Sequence, residues 1–329
     1  MAKKTIAYID AIREALREEM ARDPKVIIMG EDVGLGQGAF TVTKGLYQEF
    51  GKDRVIDTPI SEESIIGACV GLAMAGFRPV AEIMFNPFMA LVMDPLINHA
   101  ACYRYVSGGQ VKVPMVIRTL VCQGRGAGHD HAPFYASWFT HIPCLRVIVP
   151  STPYDAKGLL KTAIRDDYPC IFYEHIDFYP RKPNLGEIPE EEYLIPFGEA
   201  DIKREGSDVT VVAILTGVKA SLSAAEKLEK EEGISVEVID PRTLAPLDKQ
   251  TILNSVKKTG RLVVVETDFK TAGVGAEIAA MVVEEALEYL DAPVKRVATK
   301  DIPISFTNEK YILPDEQAIV KAVKELVLK

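Results

Sequence analysis

At 329 residues, 48% hydrophobic and 26% charged with a mean hydropathy of +0.07, the chain has enough apolar material for two ordinary globular domains and too much for a disordered one. Its net charge of -9 and isoelectric point near 5.3 oppose a general nucleic-acid role, which needs clustered Lys and Arg, and no such cluster occurs. Cys69, Cys102, Cys122, Cys144 and Cys170 are odd in number, widely spaced and contain no C-x-x-C pair, so neither a disulfide framework nor a zinc knuckle is indicated and a reducing compartment, the cytoplasm, is expected.

The chain opens on Met1-Ala2-Lys3-Lys4 without the apolar core of a signal peptide, and no apolar run approaches membrane-spanning length, so no membrane partner is expected. Over residues 5–22, Ile6, Ile9, Ile12, Leu16 and Met20 recur at near-helical spacing until Asp23-Pro24. This predicts a surface helix with one buried face. Val26-Ile27-Ile28-Met29 reads as a buried strand ending in Gly30-Glu31-Asp32, and apolar runs at 114–118, 145–149 and 170–173 recur between helical stretches. Strands alternating with helices predict a parallel sheet. Pro180, Pro183, Pro189 and Pro196, with Glu190-Glu191-Glu192 among them, mark an extended linker. The expected division is a first domain over 1–185, a linker over 186–198 and a smaller α/β domain over 199–329. In the latter, 209–215, 236–239 and 262–265 are strand-like, with helices starting near Val218, Asp248 and Gly275.

The candidate chemistry starts at Asp57-Thr58-Pro59-Ile60-Ser61-Glu62, where Ser61 can cap a helix running to about Gly76 and Glu62 sits in its first turn. Gly67 and Gly71, four apart, leave one face of that helix smooth for close packing. An acid in this position either complements the helix dipole or does chemistry. Gly34-Leu35-Gly36-Gln37-Gly38-Ala39 satisfies the loose dinucleotide pattern, with Asp57 at the distance of a ribose contact, which keeps a nucleotide-dependent oxidoreductase open. Glu31 and Asp32 would repel a pyrophosphate there. Gly273-Val274-Gly275-Ala276 also resembles a phosphate loop, although glycine in such a place more often serves packing or a turn. A third loop, Gly124-Arg125-Gly126-Ala127-Gly128-His129-Asp130-His131, ends in an H-x-H pair with His141 ten residues on. That pair can chelate, but no third ligand stands at helical spacing. Glu82-Ile83-Met84-Phe85-Asn86-Pro87-Phe88 follows a strand and reads first as core packing.

The string DTPISEESIIGACVGLAMAGFRPVAEI resembles the signature of the beta subunits of thiamine-diphosphate-dependent 2-oxo acid dehydrogenases, the decarboxylating component of pyruvate, branched-chain and acetoin complexes. FTHIPCLRVIVPSTPYDAKGLL and IPFGEADIKREG extend the likeness over nearly the whole chain. It implies a parallel-sheet pyrimidine-binding domain of transketolase type followed by a smaller α/β domain of the transketolase C-terminal type. By that resemblance Glu62 bonds the pyrimidine ring of thiamine diphosphate, Phe88 stacks on it, and Ile60 and Met84 line its pocket. His131, seven residues before Trp138, faces the reaction centre as proton donor and acceptor, which imidazole suits near neutral pH. A structural potassium ion is implied on main-chain oxygens of Met115, Ala163, Ile164, Asp166 and Tyr168.

The family's Mg-diphosphate clamp carries a G-D-G motif, and this chain has none. The resemblance therefore implies a separate alpha subunit holding Mg, an active site completed in an alpha2-beta2 assembly, and a lipoyl-bearing acyltransferase as acceptor. Pyruvate is the first substrate expected, with acetoin cleavage as the alternative. Departures cluster near the pocket: Ala132-Pro133 replaces Ser-Gln, Asp94-Pro95 replaces Asp-Gln, and Ala90 replaces Tyr. They keep open a docking subunit that retains the fold without catalysis.

Overall fold

The computed structural model describes residues 2–182 and 184–327. Pro183 of the expected first domain lies outside the described residues, as do Met1 and the last two positions of the second domain. In chain order the strands are β1 (Lys3–Ala7), β2 (Val26–Gly30), β3 (Val55–Asp57), β4 (Arg78–Phe85), β5 (Val116–Val121), β6 (Arg146–Ile148), β7 (Cys170–His175), β8 (Leu185–Pro189), β9 (Asp201–Arg204), β10 (Val209–Ala213), β11 (Val236–Asp240), β12 (Thr243–Ala245), β13 (Leu262–Phe269) and β14 (Lys295–Thr299).

The large sheet has the order β12-β6-β7-β5-β4-β2-β3, parallel except at β12. The second sheet, β14-β13-β10-β11-β9, is parallel except at β9. Every residue of β2, β5, β7, β10 and β11 is buried. Helices cover both faces of a parallel sheet, so its strands lose the apolar-polar alternation of a one-sided sheet and become continuous apolar runs. Those are the runs the sequence displays.

Two expectations need correction. The helix predicted over 5–22 spans Tyr8–Arg22, and Thr5 and Ile6 belong to β1, which pairs antiparallel with β8. The expected linker over 186–198 accordingly begins as a strand of the first domain. The cause is non-local: β1 and β8 form a two-stranded ribbon whose partners lie some 180 residues apart, and the local apolar spacing carries no trace of it. The helix itself keeps the predicted face, with Ile9, Ile12, Leu16 and Met20 buried. It packs on helix Pro153–Arg165 through a charged seam: Lys161 donates to Glu18 at 2.6 Å, and fully buried Glu19 accepts from Arg165 at 2.6 Å and Arg22 at 2.8 Å.

The two halves are joined by more than the linker. Thr243 and Ala245 of β12 come from the second half yet pair antiparallel with Ile148 and Val147 on the edge of the first sheet. Arg242 beside them donates to buried Asp155 at 2.7 Å, and Lys203 reaches the same carboxylate at 2.8 Å. The main core runs across the boundary, taking in Val212, Ile239, Ile252 and Val264 as well as Ile28, Ile117 and Ile171. No helix among the described residues is long and apolar enough to cross a membrane.

Candidate active site

In the large sheet β3 lies on one side of β2 and β4 on the other, so the winding reverses at β2 and opens a crevice beyond the carboxyl ends of the strands. Four segments leave the sheet there. Glu31 follows β2, residues 58–62 follow β3, residues 84–88 close β4 and continue past it, and residues 122–131 follow β5. The topology gathers Glu62, Met84, Phe88 and His131, which the sequence scatters over 70 positions, at one end of the sheet.

Glu62 is the first residue of helix Glu62–Met74. The expected cap takes a different form, since the Ser61 hydroxyl donates to the Ser64 hydroxyl at 2.9 Å and no side-chain bond reaches the backbone. The Glu62 side chain is only 8% exposed and receives no hydrogen bond from any described residue. Its oxygens are not among the fully buried unpartnered atoms and so still reach solvent, which leaves them free to accept from an N–H group entering the crevice. Glu31 shares the crevice: burial first, then the charges of Glu62, Asp32 and Glu82, raise its carboxyl above the ordinary range. Ile60, near Glu62 in the chain, is 80% exposed, and Met84 and Phe88 are half-buried. Gly67 and Gly71 face open space, so none of the described residues fills the smooth helix face.

His131 arrives from a loop that takes positive φ at Gly124, Gly126 and Gly128 (79°, 67° and 76°), a conformation only glycine adopts without strain. Its imidazole packs edge-on against Phe85 at 4.4 Å and Phe88 at 5.6 Å between centroids. A cavity of about 560 Å³ opens beside it, bounded also by Phe40, Phe85, Cys122, Arg125 and Tyr179. Burial pushes the Cys122 thiol up to about 12, so it is a packing group rather than a nucleophile. The chelating reading of H-x-H finds no support: His129 turns outward to Asp130 at 2.7 Å, and no group of three metal-ligating side chains occurs among the described residues.

Under the aromatic cluster lies a buried charged network. Arg118 on β5 donates to Glu82 on β4 at 2.6 Å and to both oxygens of Glu174 on β7 at 2.7 and 2.9 Å. Tyr179 donates to Glu174, and the Ala39 amide reaches Glu82 at 3.2 Å, so the network ties the sheet to the loop over 34–41. That loop does not cradle a dinucleotide. Gly34 and Leu35 give their amides to the Asp57 carboxylate at 2.6 and 3.1 Å, which occupies the donors a pyrophosphate would need. Over residues 273–276 the outcome is similar: the Gly275 amide is spent on buried Glu266, 3.0 Å away, so that glycine serves the close approach of a carboxylate.

The five residues expected to hold potassium do meet, at the opposite, amino-terminal edge of the sheet. Two of their oxygens are already held by a cation, since the Arg78 guanidinium donates to Ile164 O at 3.0 Å and Asp166 O at 2.8 Å. Met115 O accepts from the Cys170 amide at 2.9 Å, Ala163 O from the Asp166 amide at 3.3 Å and Tyr168 O from the Cys170 thiol at 3.4 Å. A guanidinium on these oxygens opposes a second positive charge beside it.

Two crevice residues escape a reading of the sequence. There Glu31 is only a repeller of phosphate and Phe85 only part of a stretch after a strand that reads as core packing, because the signal that gives each a role is its neighbour in space.

Residues 4–181 match the family model for the pyrimidine binding domain of transketolase, and residues 198–319 match that for the transketolase C-terminal domain. The chain is 43% identical over 324 residues to the 2-oxoisovalerate dehydrogenase subunit beta of Bacillus subtilis, covering 98% of each. It is 46% identical over 323 residues to the pyruvate dehydrogenase E1 component subunit beta of Rickettsia felis, again covering 98% of each. Among solved structures, a split-gene transketolase described as an inactive beta4 tetramer superposes with a TM-score of 0.79 at 25% identity, covering 98% of both chains.

Proposed function

Because the chain belongs to the family of 2-oxo acid dehydrogenase beta subunits, built from a transketolase pyrimidine-binding domain and a transketolase C-terminal domain, we propose that it provides the pyrimidine-binding half of a thiamine-diphosphate site. Joined by an alpha subunit that supplies the Mg-diphosphate clamp, it decarboxylates a 2-oxo acid, pyruvate first, and passes the acyl group to a lipoyl-bearing acyltransferase. The observation that carries this reading is Glu62: a carboxylate on a largely buried residue, without a hydrogen-bond partner among the described residues, at the same carboxyl end of the sheet as the Phe85 and Phe88 rings.

The crevice fits the cofactor's pyrimidine. Glu62 would accept from its ring, Phe88 would lie against its face, and Ile60 and Met84 would line its edges. Thiamine diphosphate, when bound, supplies the electron sink that accepts the pair released as carbon dioxide departs. The chain's own residues do the rest. Glu62 holds a proton at the ring nitrogen. Glu31, kept hard to ionise by burial and by Glu62, limits the negative charge gathered there. His131 delivers or removes a proton on the substrate side, and Phe85 and Phe88 restrict the ring to one plane of approach and exclude water. Ile60 and Leu91, apolar and exposed on the elements that carry the site, support a partner subunit closing over it.

The test is co-expression with an alpha subunit, addition of thiamine diphosphate and Mg, and measurement of dye reduction dependent on pyruvate, a branched 2-oxo acid or acetoin. Glu62→Ala is expected to lose about 10²–10⁴-fold in kcat with the assembly intact, the range of a positioned proton-transfer group. Full turnover in that variant would refute the role of Glu62 and favour a docking subunit.

A further inference from the structure

The loop that presents His131 is held from outside its own domain. Glu309, in the short helix Glu309–Ile312 of the second domain, is 5% exposed, and its Oε2 accepts the Gly126 amide at 2.7 Å. Its other carboxylate oxygen has no partner, so among the described residues this loop amide is the one donor that reaches the buried charge. Two residues on, a Cβ on Gly128 would stand 3.1 Å from the Phe306 ring, so glycine lets the loop lie flat against that side chain. The Gly128 carbonyl in turn accepts the amides of His131 and Ala132, at 3.5 and 3.0 Å.

A third contact completes the clamp. The Ala132 methyl is fully buried against Ile304 and Ile312 of the same second-domain segment. That segment is itself braced, since the Asn308 side chain bonds Ser305 N at 2.7 Å and Pro303 O at 2.9 Å. The departure from Ser-Gln to Ala132-Pro133 thus falls where the side chain packs on two buried isoleucines, a surrounding that suits a methyl better than a hydroxyl.

We propose that Glu309 is a positioning residue for His131: the second domain sets the histidine's place through the Glu309 to Gly126 bond and the Phe306 to Gly128 contact. The inference rests on the reading of His131 as the active-site histidine. A carboxylate whose one described donor is a loop amide couples the loop to its own burial, because loosening the loop strands the charge. A shift of about 1 Å at a reacting group costs about 10²-fold in rate.

The assembled enzyme with thiamine diphosphate and Mg serves for the test, in wild type, Glu309→Ala, Glu309→Gln and Phe306→Ala. Hydrogen exchange at the amides of residues 124–132 is read by mass spectrometry beside kcat and KM for the 2-oxo acid. Glu309→Ala is expected to speed loop exchange at least about tenfold and to lower kcat about 10–100-fold, with KM changed less than about threefold. Glu309→Gln keeps an oxygen for Gly126 and should recover both to within about threefold. If Glu309→Ala does not assemble, Phe306→Ala carries the test, because Phe306 is 74% exposed and its truncation opens no cavity in the core. Unchanged loop exchange in both variants overturns the proposal, as does faster exchange with wild-type kcat. Faster exchange in an enzyme whose wild type turns over no 2-oxo acid would leave the clamp standing and sink the functional reading instead.

Discussion

Replacing Arg118 by Met tests whether the charged network beneath the site holds the first sheet together. The guanidinium is 2% exposed and makes three charge-assisted bonds to Glu82 and Glu174, both buried. Methionine fills most of the volume, so the loss is electrostatic: two carboxylates remain in the sheet, one helped by the Tyr179 hydroxyl and one by the Ala39 amide. Breaking a buried ion pair from one side costs about 3–5 kcal/mol, and for a chain of this size that corresponds to a fall of roughly 4–7 °C in Tm. Burial already lifts the Glu174 carboxyl above its ordinary value against the opposing pull of Arg118, so in the variant Glu174 should take up a proton at still higher pH. The destabilisation must therefore shrink as pH falls from 8 to 5. Urea unfolding followed by circular dichroism, wild type against Arg118→Met at several pH values, measures both quantities. A difference below about 1 kcal/mol, or one constant across that range, would refute the argument.

Other outcomes follow from single contacts. Burial lifts the Glu266 carboxyl to about 7, so the stability it contributes is full below the unfolded value and is lost as pH rises through about 7. Glu266→Gln should flatten that slope between pH 5 and 8, by about 3 kcal/mol at most, and equal slopes in wild type and variant would contradict it. His131→Ala removes a ring whose neighbours are two phenylalanines, so its Tm should stay within a few degrees while 2-oxo acid turnover falls about 10²-fold or more, as paired melts and assays would show. Calorimetric titration of the chain with NAD should give no saturable heat, because the Gly34 and Leu35 amides are committed to Asp57; micromolar binding would overturn that assignment.

How much of the fold and site is legible in the chain depends on whether the deciding contact is local. Val26 to Met29 announces β2 because burial on both faces writes itself as an unbroken apolar run. Residues 5–7 read as helix because their strand partner, β8, lies at the far end of the first domain, and β12 escapes notice because three residues of the second half pair with the first sheet. Glu62 stands out by its position at the start of an apolar helix and by family resemblance, yet its lack of any described partner is a property of the folded crevice. Glu309 carries no signal at all, since a buried acid in a polar, proline-containing stretch has the character of surface until Gly126 is seen against it.

The borrowed strand β12 has a consequence for anyone dividing this molecule. A fragment ending near residue 185 would leave β6 as a bare sheet edge, its amides and carbonyls open to any passing chain, and would expose Val147 and Ile148 that Thr243 to Ala245 now cover. Such a fragment should aggregate rather than behave as a free-standing unit, and a protease nick between residues 190 and 198 should leave the two pieces travelling together. The break suggested by prolines in the sequence is a place where the chain can be cut but the protein cannot be parted.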